Sequence, residues 1–256
     1  KLSKAIRFIV KLSALITLGV LFFIIGYILV RGIPNLRPSL FQLEYTTENV
    51  SLFPALITTL MLVGLALLIA TPIGIFTGFY LVEYAKKGSR LVETIRIATE
   101  TLSGIPSIVY GLFGMLFFVI YLNFQYSLLA GAFTVAIMVL PLIIRATEEA
   151  LMSVNDSLRE ASFGLGAGKL RTIFKIVLPV AMPGILSGII LSIGRIVGET
   201  AALMFTLGTA TKIPEGLFSS GRTLALHMYV LSTEGFHVKE SYATGVVLLL
   251  IVLAIN

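Results

Sequence analysis

The chain contains no cysteine and no tryptophan and only two histidines, and Asp, Glu, Lys and Arg make up just 12% of its 256 residues. An ordinary soluble domain carries about 25% charged residues. Without cysteine there is no disulfide framework, no Cys-ligated metal and no thiol nucleophile. The histidines, His227 and His237, have no metal-ligand spacing and read as ordinary loop residues, so no metal, no cofactor and no enzymatic activity is expected. What replaces charge is apolar surface: 57% of the residues are hydrophobic, a composition that belongs in lipid. The formal charge is +6, but the basic residues are scattered at the edges of apolar runs. That dispersion argues for membrane topology and against nucleic acid.

A bilayer core of about 30 Å takes roughly 20 helical residues to cross. Uncharged runs lie between Lys11 and Arg31, between Glu48 and Glu83, from Thr101 to Ile144, and between Lys175 and Lys212, the last interrupted by Arg195 and Glu199. The run from 101 to 144 is too long for one crossing, and Asn123-Phe124-Gln125 is its polar interruption. These runs predict an all-α membrane protein with six spans, at about 12–30, 52–82, 97–122, 126–148, 182–208 and 241–256, and a cytoplasmic loop at 151–179. The last span is short, so a full sixth crossing needs residues beyond Asn256. The first span is too long for a signal-peptide core and reads as an anchor. With this layout Lys1, Lys4, Arg7, Lys11, Lys86, Lys87, Arg90, Arg96, Arg159, Lys169, Arg171 and Lys175 fall on one side, against Arg31, Arg37, Lys212, Arg222 and Lys239 on the other. The positive-inside rule therefore predicts a cytoplasmic N-terminus. Glycine pairs at four-residue spacing, Gly74/Gly78, Gly184/Gly188 and Gly194/Gly198, read as close helix packing.

Two features stand out of this background. In the loop, Ser157 followed by Glu160 reads as a capping box opening a short helix. Gly164, Gly166 and Gly168 break that helix, a second begins near Leu170, and Pro179 disfavours helix at Leu178. Leu158, Ala161 and Leu165 fall on one face as a small apolar plug. Gly164-x-Gly166-x-Gly168-Lys169 is not a phosphate-cradling nucleotide loop, because Phe163 and Leu170 stand where glycine and a hydroxyl residue are required. The second feature is charge inside the apolar runs. Arg195 is expected mid-span with Glu199 one turn later on the same face, and Arg145 near the end of span four is followed by Glu148 and Glu149. A charge at the bilayer centre costs about 2.5 to 3.5 kcal/mol, so it usually marks a pathway or a partner. A guanidinium is suited to an oxyanion through two parallel hydrogen bonds.

The loop residues Glu160-Ala161-Ser162, Gly166, Ile176 and Leu178-Pro179 resemble the EAA loop of binding-protein-dependent ABC importer permeases, E-A-A-x3-G-x9-I-x-L-P, with Ser162 replacing the third small residue. The stretches Gly104-Ile-Pro-Ser-Ile-Val-Tyr-Gly-Leu-Phe-Gly114 and Gly194-Arg-Ile-Val-Gly-Glu-Thr-Ala-Ala-Leu203 look like signatures of phosphate permeases. Arg145-Ala-Thr-Glu-Glu-Ala-Leu151 resembles the PstA type more than its PstC partner, with Ala202 where many relatives have proline. The resemblance implies a type I importer permease fold in a bacterial inner membrane. It implies a second permease of the PstC type, an ATPase dimer of the PstB type that alone hydrolyses ATP, and an extracytoplasmic phosphate-binding protein of the PstS type. It further implies docking of the ATPase through Ser157, Leu158, Glu160, Ala161, Leu165 and Gly166, and passage of phosphate by Arg145, Glu148, Arg195 and Glu199. Glu199 is expected to compensate Arg195 and keep the anion weakly held. A sulfate or molybdate permease, and a phosphate-sensing signalling component, are the alternatives.

Overall fold

The computed structural model describes residues 2–86 and 88–255. Lys1 and Lys87 of the charge count, and Asn256 of the sixth span, lie outside the described residues. Among the described residues every regular element is helical. They are α1 (Leu2–Gly32), α2 (Phe53–Phe79), α3 (Arg90–Ser103), α4 (Ser107–Gly114), α5 (Leu128–Met152), α6 (Asp156–Gly164), α7 (Lys169–Thr172), α8 (Leu178–Val197), α9 (Ala201–Met204), α10 (Leu224–Glu234) and α11 (Val238–Ile255). Wider π-type turns at Tyr80–Tyr84, Met115–Tyr121 and Ile173–Val177 extend α2 and α4 and join α7 to α8.

Among the described residues five helical stretches are long and apolar enough to cross a membrane: Ile6–Asn35, Phe53–Tyr84, Leu128–Met152, Lys169–Val197 and Val238–Ile255. The pair Arg90–Ser103 and Ser107–Tyr121 makes a sixth only as a broken element, bent by 101°. The span expected over 97–122 thus falls on a broken element, and the cause of the break is local. Gly104 closes α3 and Pro106 precedes α4, and proline drives the residue before it out of helical geometry.

The bundle is built around α5. In its most apolar stretch 67% of the residues are buried, against none in that of α1, so α5 is the central helix and α1 the peripheral one. Ala66, Ala70, Gly74 and Gly78 line one side of α2 at four-residue spacing and are buried, which lets α2 lie along α5. A Cβ on Gly74 would meet Ile143 at 2.6 Å, and one on Gly78 would meet Thr147 at 2.6 Å. On the other side of α5, Gly184 approaches Ala150 and Gly188 approaches Ala146. Two of the three glycine pairs therefore serve close packing, as expected from their spacing. The third does not: no atom lies within 4 Å of a Cβ on Gly194, and Gly198 caps the end of α8.

The expected hairpin at Asn123-Phe124-Gln125 is a turn in which Asn123 and Gln125 take left-handed φ of 55° and 57°. The helix through 169–197 runs on past Pro179, against expectation. Leu178 is helical, with φ −60° and ψ −48°, and its N–H reaches back to the Ile173 carbonyl. The wide turn shifts the ladder by one residue just where proline lacks an N–H and needs room for its ring.

Candidate coupling segment and intramembrane charges

The segment between α5 and α8 is a folded element. Its helix, α6, is opened by Asn155, whose Oδ1 accepts from the Ser157 N–H at 3.0 Å. The cap is therefore Asn155 and not Ser157. Both residue types cap well, but Asn155 is the one held in extended geometry, with φ −62° and ψ 130°. The far end closes as a Schellman turn, in which Gly166 N–H bonds the Phe163 carbonyl and Ala167 N–H bonds the Ser162 carbonyl. Gly166 takes φ +80°, a conformation that glycine adopts without strain. Of the three glycines only Gly166 has this requirement. Ser162 is buried and its Oγ lies 2.8 Å from Thr172 Oγ1, which fastens α6 to α7. The serine at the motif's third small position thus has a bonding partner.

Leu158, Ala161 and Leu165 all face out, with Leu165 90% exposed. With Gly166, Ala167 and Arg171 they line a surface hollow of about 390 Å³. Ser157 and Glu160 are exposed beside them. The face that α6 leaves open is thus largely apolar.

Behind this face lies an ion-pair network that local sequence pattern does not reveal. Arg159 of α6 is mostly buried and donates to Glu83 from Nε at 3.2 Å and from Nη2 at 2.9 Å. It also donates to the carbonyls of Val154 and Leu151 and to Asp156. One helix over, Arg96 of α3 pairs with Glu148 of α5 through Nε at 2.7 Å. Glu83, Arg96 and Arg159 are separated by 76 and 52 residues from their partners, a range over which local pattern carries no information.

The four residues expected along a substrate path are not brought together. Arg145 is exposed and makes loose contacts of 3.6 Å to Glu149 and 3.9 Å to Glu100. Glu148 is largely buried against Arg96. Because Ala146 packs on Gly188, Arg195 stands seven residues, about 10 Å, farther along α8 than Arg145's level. Arg195 lies in the last turn of α8, not at mid-span, and is half-buried. Glu199 is not on its face: α8 stops at Val197 and Gly198, short of the expected end at 208, and Glu199 Oε1 accepts from the Ala202 N–H at 3.0 Å at the start of α9. Among the described residues no ion pair joins Arg195 to Glu199, so the expected compensation of one by the other is corrected to a capping role for Glu199. A 550 Å³ hollow near α9 is lined by Ile108, Thr200, Ala201, Met204 and Met228 among others, with no charged side chain, and offers an anion no counter-charge.

The two stretches that carried the resemblance touch each other. A Cβ on Gly111 would lie 2.7 Å from Ala202 Cα, and one on Gly114 would meet Thr134 and Thr206. Gly111 seats α9 against α4, and Gly114 lies against Thr134 of α5 and Thr206 just after α9.

At the opposite end of the bundle, His227 is fully buried in α10, so its reading as an ordinary loop histidine is corrected. Its pKa is pushed down from 6.5 to about 3, first by burial and then by the charge of Arg222. Tyr45 stands between them, 4.9 Å from the Arg222 guanidinium carbon and 6.1 Å from the imidazole centre. The Val50 backbone faces the ring, yet neither ring nitrogen completes a hydrogen bond, and Arg222 Nη2 is likewise buried without one. His237 is half-buried and lies 3.9 Å from Glu240.

Comparison with known proteins agrees with this architecture. Residues 70–256 match the family described as binding-protein-dependent transport system inner membrane component. A probable ABC transporter permease, YqgI of Bacillus subtilis (strain 168), is 32% identical over 244 residues, covering 88% of this chain and 81% of that protein. The phosphate transport system permease protein PstA 1 of Mycobacterium tuberculosis (strain CDC 1551 / Oshkosh) is 40% identical, covering 78% of this chain and 66% of that protein. PstA of Pasteurella multocida (strain Pm70) is 42% identical, covering 70% and 64%. The chain thus spans about two thirds of the length of these PstA relatives. Among solved structures, a bacterial alginate ABC transporter superposes with a TM-score of 0.67 at 20% identity, covering 96% of this chain and 92% of that one. An inward-facing methionine ABC transporter gives 0.60 at 20% identity, covering 90% and 92%. At these identities the likeness is one of fold, that of an ABC importer permease. The chain belongs to the family of binding-protein-dependent transport system inner membrane components.

Proposed function

We propose that the chain is the PstA-type permease subunit of an ATP-driven importer of inorganic phosphate in the bacterial inner membrane, with its N-terminus cytoplasmic. In this reading it lines the anion path together with a second, PstC-type permease. A PstB-type ATPase dimer docks on α6, and a PstS-type binding protein delivers phosphate to the opposite face. The chain is a transport subunit and not an enzyme, and ATP hydrolysis belongs to the separate subunit.

One observation carries the docking role: α6 is capped at Asn155 and closed at Gly166, and it leaves Leu158, Ala161 and Leu165 exposed at the end of the bundle. The PstA relatives support phosphate as the substrate. The half-buried Arg195, which has no acidic partner among the described residues, supports an anion in the path, because a guanidinium free of a carboxylate favours an oxyanion ligand.

Docking is tested by co-purification of the ATPase subunit with the chain. Gly166→Trp forces a bulky side chain into left-handed geometry and should abolish co-purification; retention would refute docking through α6. Arg195→Lys should lower phosphate uptake, since a lysine cannot donate two parallel hydrogen bonds, and unchanged uptake would remove Arg195 from the path.

A further inference from the structure

A guanidinium has five N–H donors in a fixed fork, and Arg159 places all five. Nε and one hydrogen of Nη2 go to Glu83, the other hydrogen of Nη2 to the Leu151 carbonyl, and the two of Nη1 to the Val154 carbonyl and Asp156. One side chain of α6 therefore holds the last turn of α2 and the C-terminal end of α5 at once. A second grip comes from the far side of the segment. Lys169, at the start of α7, donates to the Glu83 carbonyl and lies 4.6 Å from the centre of the Tyr84 ring. The turn of α2 seized in this way, Tyr80–Tyr84, is π-type, a form that departs from the ordinary helical ladder and often marks a functional position. Beyond it α2 runs on along α5 through the glycine contacts at Ile143 and Thr147.

The surroundings are built differently on the two sides of this junction. The docking face of α6 is apolar and points outward, whereas Glu83 and Arg159 line an open hollow of about 590 Å³ together with Lys86, Arg96, Met152 and Asp156. The polar junction is thus separate from the docking face, and the hollow leaves space into which the junction can move. An ion pair whose guanidinium donors are all satisfied is short, directional and costly to leave half-made.

We infer that Arg159 and Glu83 are positioning residues for energy coupling: they form the strut that carries displacement of α6 to α2 and α5, and Lys169 braces it. Apolar packing at the docking face receives the ATPase, and the strut transmits what the ATPase does. Neither residue touches substrate. The inference rests on the reading of α6 as the ATPase docking helix.

The test uses the complete importer in proteoliposomes and reads phosphate transported per ATP hydrolysed. Glu83→Gln removes the charge and keeps the shape, on a residue outside the docking face. The complex should still assemble and hydrolyse ATP, with transport per ATP lower by about tenfold. Arg159→Lys, which keeps a charge but loses the fork, should show a smaller fall in the same ratio. The double variant should fall no lower than Glu83→Gln alone, because one link is being broken twice. An unchanged ratio in Glu83→Gln overturns the inference. So does loss of assembly in that variant, which makes the pair a folding element only. If the ATPase subunit fails to co-purify with the unmodified chain, the docking reading fails instead.

Discussion

The two ends of the bundle treat charge in opposite ways. At the α6 end the largely buried charges have partners: Arg159 pairs with Glu83, and Glu148 pairs with the more exposed Arg96. At the α10 end Arg222 is 5% exposed and His227 is fully buried, and among the described residues neither has an ion partner. Next to them Val50 holds a φ of 47°, a strained geometry for a β-branched residue that costs of order 1–3 kcal/mol. Matched charges fasten separate elements together, as the proposed docking of an ATPase on α6 would require. The unmatched end draws its cohesion from apolar packing of Leu40, Leu52, Ala55 and Leu224, and the unbonded His227 nitrogens and Arg222 Nη2 weaken it.

The contrast is broken or sharpened by substitutions at the two ends. The largest effect is expected from Glu83→Ala, which strands Arg159 without its main counter-charge and should cost about 3–5 kcal/mol of stability. The matching change at the other end, Arg222→Met, should leave the thermal midpoint in detergent unchanged or higher, because it removes a buried cation that has no ion partner among the described residues. Equal losses from the two variants would abolish the contrast.

The next effect in size is a dependence on pH that belongs to the α10 end. The folded pKa of His227 is lowered to about 3 from 6.5, so above pH 6.5 the ring is neutral in both states and contributes no slope. As pH falls below 6.5 the unfolded chain takes up a proton that the folded chain refuses, and stability drops by up to about 1.4 kcal/mol per pH unit. Melting the detergent-solubilised protein between pH 7.5 and pH 5.5 should show this slope, and His227→Leu should flatten it. A slope that survives in the variant would assign the dependence to other groups.

The smallest effect is expected at Ser162→Ala. It removes the bond to Thr172, but Thr172 Oγ1 keeps a 3.3 Å contact with the Gly168 carbonyl, so the loss should stay near 1 kcal/mol. ATPase co-purification should survive, since the docking side chains are untouched. Its loss would mean that the joint between α6 and α7 sets the docking geometry.

These ends also divide what could be read from sequence from what could not. The long helices follow from uncharged runs, and α6 follows from its flanking turn residues, because both signals are local. The break at Gly104–Pro106 was readable in principle, but the apolar run around it masked it. The end of α8 was hidden for a related reason: Gly194 and Gly198 have the spacing of a packing motif, and only the neighbours show that nothing packs there. Pro179 misled because its missing N–H is absorbed by a π-type turn that apolar pattern does not encode. The pairing of Arg159 with Glu83, and the burial of His227 against Tyr45 and Arg222, join residues far apart in the chain. A basic residue beside an apolar run reads as a topology signal whether it faces water or ends as the centre of a network.

The central claim, that this family member passes phosphate under the control of an ATPase docked on α6, is tested most directly by uptake of radiolabelled phosphate into proteoliposomes holding the complete importer. The account predicts uptake that needs ATP and the binding protein, is unaffected by excess sulfate or molybdate, and disappears in Gly166→Trp. Uptake of sulfate or molybdate in preference to phosphate, or phosphate uptake that persists in Gly166→Trp, would contradict it.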